Sequence, residues 1–273
     1  MAKDLHIYIP SYRRAEKTTR LTLRWLSPEW QERTTMVVDK KDHEDYRRTW
    51  WNLGKEQEAM FNRVKWDVVS GKTAESIAQK RAHIMTTTKH SKILMFDDDL
   101  EFCARAADGT LPRTDRVTVD KYLKDLEKIL DKYVHAGFGP RQNNNSRGAG
   151  WQPIGRMMYA LGYNMDVIRK KKLLEYGRIE TREDFDYTLQ LLKQGYPNVL
   201  MHELCVGQTF NSKGGNSLCR TMDASNADAD KLAELHPGLV NVVFKDYGTV
   251  EKRKEVIVGW KKAYESSPKV QKV

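Results

Sequence analysis

The sequence predicts an α/β protein with a mostly parallel central sheet flanked by helices and a C-terminal extension. Ile93-Leu94-Met95-Phe96 is an apolar run with no polar alternation, the pattern of a strand buried on both faces of a parallel sheet. Asp97-Asp98-Asp99 follows it, placing three carboxylates where that strand would leave the core. On either side of this stretch, β-forming segments are followed by loops and helical stretches, the order that builds β-loop-α units. The 273 residues suffice for one large domain with an appendage, and the chain divides into a domain at 1–222 and an extension at 223–273 packing on it.

The first unit opens with Leu5-His6-Ile7-Tyr8-Ile9, alternating and rich in β-formers, and passes through Pro10-Ser11-Tyr12-Arg13-Arg14 into a helix near Ala15 to Trp25. Its loop would lie at the carboxyl edge of the sheet, where α/β proteins bind ligands. There Tyr12 suits stacking on a base, and Arg13 or Arg14 suits a phosphate, although two arginines at a helix start also fit plain solvation. Thr34-Thr35-Met36-Val37-Val38 is a second strand ending at Asp39, which could accept a hydrogen bond from a base or ribose. A polar helix covers about His43 to Trp51, a third strand Val64 to Val69, and a helix Thr73 to Thr88. On that last helix Arg81 interrupts a stripe of Ala74, Ile77, Ala78 and Ala82, so it either snorkels or aims at the acidic edge.

Beyond the aspartates, Ala104 to Pro112 reads as a turn-rich insertion and Val117 to Tyr133 as an amphipathic helix. Val134 to Gly139 is a strand, Arg141 to Gly150 a polar loop, and Arg156 to Leu161 another strand. The helix from Asp166 to Tyr176 carries the basic cluster Arg169-Lys170-Lys171-Lys172, which suits a nucleic-acid backbone or a solvated face equally. Glu180 to Lys193 is a helix with Thr181 and Asp184 in capping-box spacing, and Glu183, Asp184 and Asp186 make a second acidic centre. Val199-Leu200-Met201 leads to His202, and Val206 to Ser217 is rich in glycine and short donors, able to wrap a phosphate without the Walker order. A helix at Asp228 to Leu235, a strand at Val240 to Phe244 and the basic segment Lys252 to Lys262 complete the chain.

The 47 Lys and Arg against 37 Asp and Glu leave a formal charge of +10 and a pI near 9.3, a balance that favours polyanionic partners. Cys103, Cys205 and Cys219 have no metal-ligand spacing and cannot all pair within the chain, so they read as free thiols of a reducing compartment. The N-terminal residues lack a signal-peptide hydrophobic region, and no run approaches the roughly 20 apolar residues of a membrane span. A soluble cytoplasmic monomer is expected.

Three adjacent carboxylates repel one another, and a divalent metal at the sheet edge relieves that repulsion. Along extended backbone Asp97 and Asp99 would face one way and Asp98 the other. A metal held by one or two carboxylates and a diphosphate would neutralise a departing nucleotide, while a separate carboxylate deprotonates an attacking hydroxyl. Two acidic centres match that division. A two-metal nuclease would need its carboxylates close enough to share both ions, and a sugar nucleotidyltransferase would carry a glycine in its first loop, which Pro10 to Arg14 lacks. For a non-catalytic DNA-binding protein, three clustered aspartates without a cation would be a standing cost.

Taken in order, these elements resemble the GT-A class of nucleotide-sugar glycosyltransferases over residues 5 to 203. The resemblance lies in the opening Ile7-Tyr8-Ile9-Pro10-Ser11-Tyr12-Arg13-Arg14, in Ala78-Gln79-Lys80-Arg81, in Asp97-Asp98-Asp99 as a DxD element, and in Glu183-Asp184-Phe185-Asp186 through Gly195-Tyr196. One departure is Lys80-Arg81-Ala82 where that class has Ala-Arg-Asn. In its basic, compact character the chain is also similar to phage-type transferases that place sugars on hydroxymethylated pyrimidines in DNA, including relatives of the base J glucosyltransferase. The resemblance implies metal-dependent, inverting transfer of a hexose, with UDP-glucose as donor, Mn2+ or Mg2+ as metal and double-stranded DNA as acceptor, in the host cytoplasm if phage-encoded. It implies a metal bound mainly through Asp99, with Asp97 and His202 as further ligands. Pro10, Tyr12, Arg13, Asp39, Arg81, Asp97, Asp98 and Lys213 would serve the nucleotide sugar, Asp98 chiefly by supporting the loop. Glu183 and Asp184 would form the catalytic pair, with Asp184 as base. Trp151, Tyr159 and Tyr163 are candidates to stack on an extruded base, with a core role as the alternative for at least two of them.

Overall fold

The computed structural model describes residues 4–142, 144, 148–173, 175–208, 221–245 and 253–270. Strands β1 (Leu5–Pro10), β2 (Thr34–Asp39), β3 (Lys65–Val69) and β4 (Lys92–Phe96) pair in parallel in the order β3-β2-β1-β4. Between them run α1 (Ala15–Arg20), α2 (Pro28–Glu32), α3 (Lys40–Leu53), α4 (Lys55–Arg63) and α5 (Ile77–Thr87). The sheet continues through β8 (Ala160–Asn164), antiparallel to β4, then β6 (His135–Pro140), antiparallel to β8, then β9 (Asn198–Gln208), parallel to β6. On the far side of β9 lie β7 (Trp151–Pro153) and β5 (Leu100–Ala104), both antiparallel to it. Strands β1, β2, β3, β4, β6 and β9 therefore point one way, which makes the sheet the mostly parallel one expected.

The apolar run before the aspartates is buried on both faces. Leu94 and Phe96 of β4 join a core with Ile7, Ile9, Trp30 and Trp50, covered by α1 to α4 and by α6 (Arg116–Ile129). Ile93 and Met95 point the other way, into a core with Tyr8, Val37, Tyr163 and Tyr187 beneath α5, α7 (Met165–Lys171) and α8 (Glu183–Lys193). The outer face of α8 presents Phe185, Leu189 and Leu192 to a third cluster with Leu232, Leu239, Val240 and Ala263. Those residues belong to α9 (Met222–Leu235), the antiparallel hairpin β10 (Val240–Lys245) and β11 (Arg253–Val258), α10 (Trp260–Glu265) and their connections, so the C-terminal segment packs directly on α8. Among the described residues no helix is long and apolar enough to cross a membrane.

Several elements differ from expectation where tertiary contacts override local pattern. The first helix stops at Arg20 because Leu21 leaves helical backbone (φ -114°, ψ -98°), and a 3-10 turn over Thr22–Trp25 follows, with the Thr22 hydroxyl donating to Asp97 O at 2.8 Å and accepting from Leu100 N at 2.9 Å. Leu100–Ala104 is a strand, β5, which short length and a charged neighbour concealed. The strand expected from Arg156 begins only at Ala160, since left-handed φ values at Ile154 (+56°) and Tyr159 (+67°) interrupt extended backbone. Helix α8 starts at Glu183, not Glu180: Thr181 gives its N–H to Asp228 Oδ2 at 2.7 Å, and Arg182 takes the N-cap position with φ +66° and without a side-chain cap. Val206-Gly207-Gln208 finishes β9, and the rest of the glycine-rich stretch, Lys213 included, lies outside the described residues.

Burial has a consequence for His135, which is fully enclosed beneath α8. Its ring stacks on Tyr163 at 4.5 Å between centroids, with Nδ1 2.9 Å from Gly162 O and Nε2 3.2 Å from Thr188 Oγ1. Burial lowers its pKa from 6.5 to about 4, against the pull of the Gly162 carbonyl. A folded-state pKa below the unfolded one means that the unfolded chain binds the proton first as pH falls. The contribution of His135 to stability should therefore be level above pH 7 and fall as pH drops from 6.5 to 5, by up to about 1.4 kcal/mol per pH unit, while Asp97, raised to about 7, works in the opposite direction. Urea denaturation across that range should show the stability of wild type falling relative to that of His135→Gln as pH drops; a constant difference between the two would contradict this origin.

Candidate active site

Carboxyl ends of parallel strands are where an α/β sheet opens to ligands. Here the loop after β1, the end of β4, the first turns of α5 and α8 and the residues before β8 converge on a cleft of about 670 Å³. Its remaining wall comes from the C-terminal segment, through Thr221, Ser225, Arg253, Glu255 and Val256.

The three aspartates do not alternate as an extended strand would have them. Residues 97–99 form the turn between β4 and β5, so the period of two is lost. Asp97 faces the cleft, its side chain 18% exposed, with Oδ1 2.5 Å from Arg81 Nη2 and Oδ2 accepting from Gln208 Nε2 at 3.2 Å. Asp98 and Asp99 both turn to Arg14, whose Nη1 lies 2.8 Å from Asp98 Oδ1 and 2.8 Å from Asp99 Oδ2. Asp98 also accepts a short bond from Ser11 Oγ, which Tyr46 OH meets at 2.6 Å. Lys80 is buried nearby, donating from Nζ to Ser11 O at 2.8 Å and lying 5.1 Å from the centroid of the Tyr12 ring.

Arg81 joins the two acidic centres. Its Nη1 reaches Glu183 Oε1 at 2.5 Å, while Nη2 holds Asp97. Burial alone would weaken its charge, and Asp97 and Glu183 outweigh that effect. Asp97 is pushed up to about 7, chiefly by burial; Arg81 pulls against this, and Asp99, Asp98 and Glu183 add to it. Asp184, in the first turn of α8, also has its pKa raised by burial, opposed by Arg81 and Arg156, and it accepts Phe185 N at 2.9 Å. A carboxylate with raised proton affinity facing a cleft is suited to accept a proton.

Of the residues singled out in the sequence, Pro10, Tyr12, Arg81, Asp97, Asp98, Glu183 and Asp184 meet at this cleft. Arg13 does not line it: with φ +51° its side chain, 60% exposed, lies 3.8 Å from Asp42, and its neighbour Arg14 holds the aspartates instead. Asp39 caps α3, accepting from Lys41 N at 3.0 Å. Asp99 is fully buried against Arg14. His202 is buried away from the cleft lining, with Nδ1 within 2.9 Å of the Asn144 amide. Tyr163 belongs to the core, Trp151 is partly buried against it, and Tyr159 lines the cleft. The cleft also contains Lys80, Arg156, Arg182 and Gln208, which sequence reasoning did not assign; only Lys80, beside Arg81, carried a local signal.

The donor set suits a hard cation of the Mg2+ or Mn2+ type. Such an ion needs one or two protein carboxylates when phosphate oxygens complete its shell, and Asp97 presents one to the cleft. Among the described residues no three His, Cys, Asp or Glu side chains gather as a metal group by themselves.

The sequence profile of the TET-Associated Glycosyltransferase family matches residues 5–216. No curated protein sequence matches the chain. Among solved structures the fold is similar to S. aureus TarS 1-349 in complex with UDP-GlcNAc, at 12% identity and a TM-score of 0.52, over 85% of this chain and 66% of that one. A second crystal structure of S. aureus TarS 1-349 aligns at 11% identity and a TM-score of 0.50, over 85% and 65%. The mannosyltransferase PcManGT from Pyrobaculum calidifontis, in complex with GDP-Man and Mn2+, aligns at 9% identity and a TM-score of 0.50, over 78% and 59%. The chain thus spans 65–66% of the TarS fragment, and at these identities the likeness is one of fold.

Adjacent arginines with different surroundings make a clean comparison. Arg14→Leu leaves two buried carboxylates without their cation and should lower stability by about 3–5 kcal/mol, whereas Arg13→Leu should change it by less than about 0.5 kcal/mol. Chemical denaturation of the two variants measures both; equal losses would contradict the different placements.

Proposed function

The chain belongs to the TET-Associated Glycosyltransferase family and is a glycosyltransferase, and from that premise we propose that it moves a hexose from a nucleotide diphosphate sugar to the hydroxyl of a 5-hydroxymethylpyrimidine in DNA. The reading favours inversion, with Asp184 as the base. The observation that carries it is the meeting of Asp97 and Asp184 on one cleft at the carboxyl edge of the sheet, with burial raising the Asp184 pKa in support. Asp97 would hold a divalent cation, which would supply charge neutralisation for the departing diphosphate. Tyr12 would stack on the nucleobase. Glu183 acts through Arg81, fixing the first turn of α8 and hence the position of Asp184. Asp98 and Asp99, both held by Arg14, support the turn that presents Asp97.

The formal charge of +10 and the TET-associated name of the family support a DNA acceptor. A base in duplex DNA must leave the stack to reach such a cleft, and Tyr159 on the cleft wall could stack on it. The exposed Arg169, Lys170, Lys171 and Lys172 would add phosphate contacts outside.

Incubation with a panel of labelled nucleotide sugars, UDP-glucose first, with Mn2+ or Mg2+ and with hydroxymethylated or unmodified DNA tests this reading. Label should enter only the hydroxymethylated DNA and only without chelator. Transfer confined to protein, lipid or free sugar would overturn the acceptor while leaving the transferase. Asp184→Asn should retain nucleotide binding and lose about 10²–10⁴-fold in transfer rate; undiminished turnover would exclude Asp184 as the base.

A further inference from the structure

The cations around the cleft are unevenly engaged. Arg81 is shared by Asp97 and Glu183, and Arg14 by Asp98 and Asp99. Lys80 donates to Ser11 O, Arg182 donates to the carbonyls of Ser225 and Lys254, and Arg253 lies 2.9 Å from Glu255. Arg156 differs from all of these. It lines the cleft, is exposed, and among the described residues has no carboxylate or carbonyl partner. Its guanidinium lies over the ring of Phe185, 4.7 Å from the centroid. Stacking occupies the flat face of the fork and leaves its edge N–H donors available.

The backbone beside Arg156 is fixed. Asn198, fully buried, donates from Nδ2 to Gly155 O at 2.7 Å and accepts Gly155 N at 3.1 Å through Oδ1, while its main-chain oxygen takes Ile154 N at 2.9 Å. A Cβ at Gly155 would stand 2.9 Å from Leu200 Cδ1, so no larger residue fits there without movement. Left-handed conformations at Ile154 and Tyr159 on either side are strained for residues with side chains; the Asn198 bonds hold Ile154, and Asp97 N–H donating to Tyr159 O at 3.0 Å holds Tyr159. Phe185, the stacking platform, follows Asp184 on α8. A forked cation that is hydrogen-bonded to no carboxylate among the described residues, and that reaches Asp184 only through its field, therefore stands beside the proposed base.

We infer that Arg156 seats a phosphate in the cleft, either the diphosphate of the donor nucleotide or a backbone phosphate of the acceptor polynucleotide. The inference rests on the proposed transferase reaction, which brings both kinds of phosphate to this cleft. Forked donors favour phosphate over a neutral sugar hydroxyl, because each N–H···O contact is then charge-assisted.

Isothermal titration of wild type, Arg156→Gln and Arg156→Lys with UDP and with GDP, and fluorescence anisotropy with a short hydroxymethylated duplex, separate the two sources. Loss of roughly ten- to a hundredfold in nucleotide affinity, with DNA affinity kept, assigns the donor diphosphate. A similar loss for DNA alone, with a shallower dependence on salt, assigns the acceptor backbone. Arg156→Lys should recover only part of either loss, since it keeps the charge without the fork. Unchanged binding of both probes by a folded Arg156→Gln would overturn this inference alone. Wild-type protein that binds neither nucleotide nor DNA would overturn it together with the transferase reading of the cleft.

Discussion

A single guanidinium holds the site together. Arg81 comes from α5, Asp97 from the end of β4 and Glu183 from the start of α8, and the two contacts at 2.5 Å join the consecutive α5 and β4 to a helix 102 residues further along from Arg81. Arg81 and Glu183 are almost completely buried, and Asp97 draws on the same cation from the cleft wall. Both acidic centres are thereby placed on one cleft. The side chain that looked out of place on a small apolar helix face is the one that sets their relative position.

A second arginine allows the remaining acidic charge to be buried. Asp98 and Asp99 would repel each other beneath the β1 loop, and Arg14 bridges them while Ser11 and Tyr46 fix Asp98. The result is an asymmetry among three identical residues. Asp98 and Asp99 stabilise the turn, and Asp97 is left at the cleft with its pKa raised to about 7, chiefly by burial. A further positive charge beside that carboxylate would lower its proton affinity.

Much of this was legible because it depends on local pattern. An uninterrupted apolar run marks a strand covered on both faces, and acidic residues at its end mark the sheet edge, so β4 and Asp97 were readable. The acidic start of α8 was readable too, though its boundary shifted when Arg182 took the N-cap position in a left-handed conformation. The orientation of the three aspartates was not, since alternation holds only in extended backbone and residues 97–99 turn. Which of Arg13 and Arg14 lines the cleft was not legible for a related reason: the left-handed φ at Arg13 sends it outward toward Asp42. Arg156, Arg182 and the C-terminal wall carried no local signal, because their positions come from Asn198, from distant carbonyls and from packing on α8.

The role of Arg81 is open to a direct test by thermal denaturation of Arg81→Met beside Arg81→Met/Glu183→Gln. Removing the cation alone strands Glu183 as a buried charge, so the second substitution, which removes that charge, should restore part of the lost stability. A double variant less stable than Arg81→Met by the full cost of Glu183→Gln in the wild type would show that the two side chains act independently and would contradict the shared ion bridge.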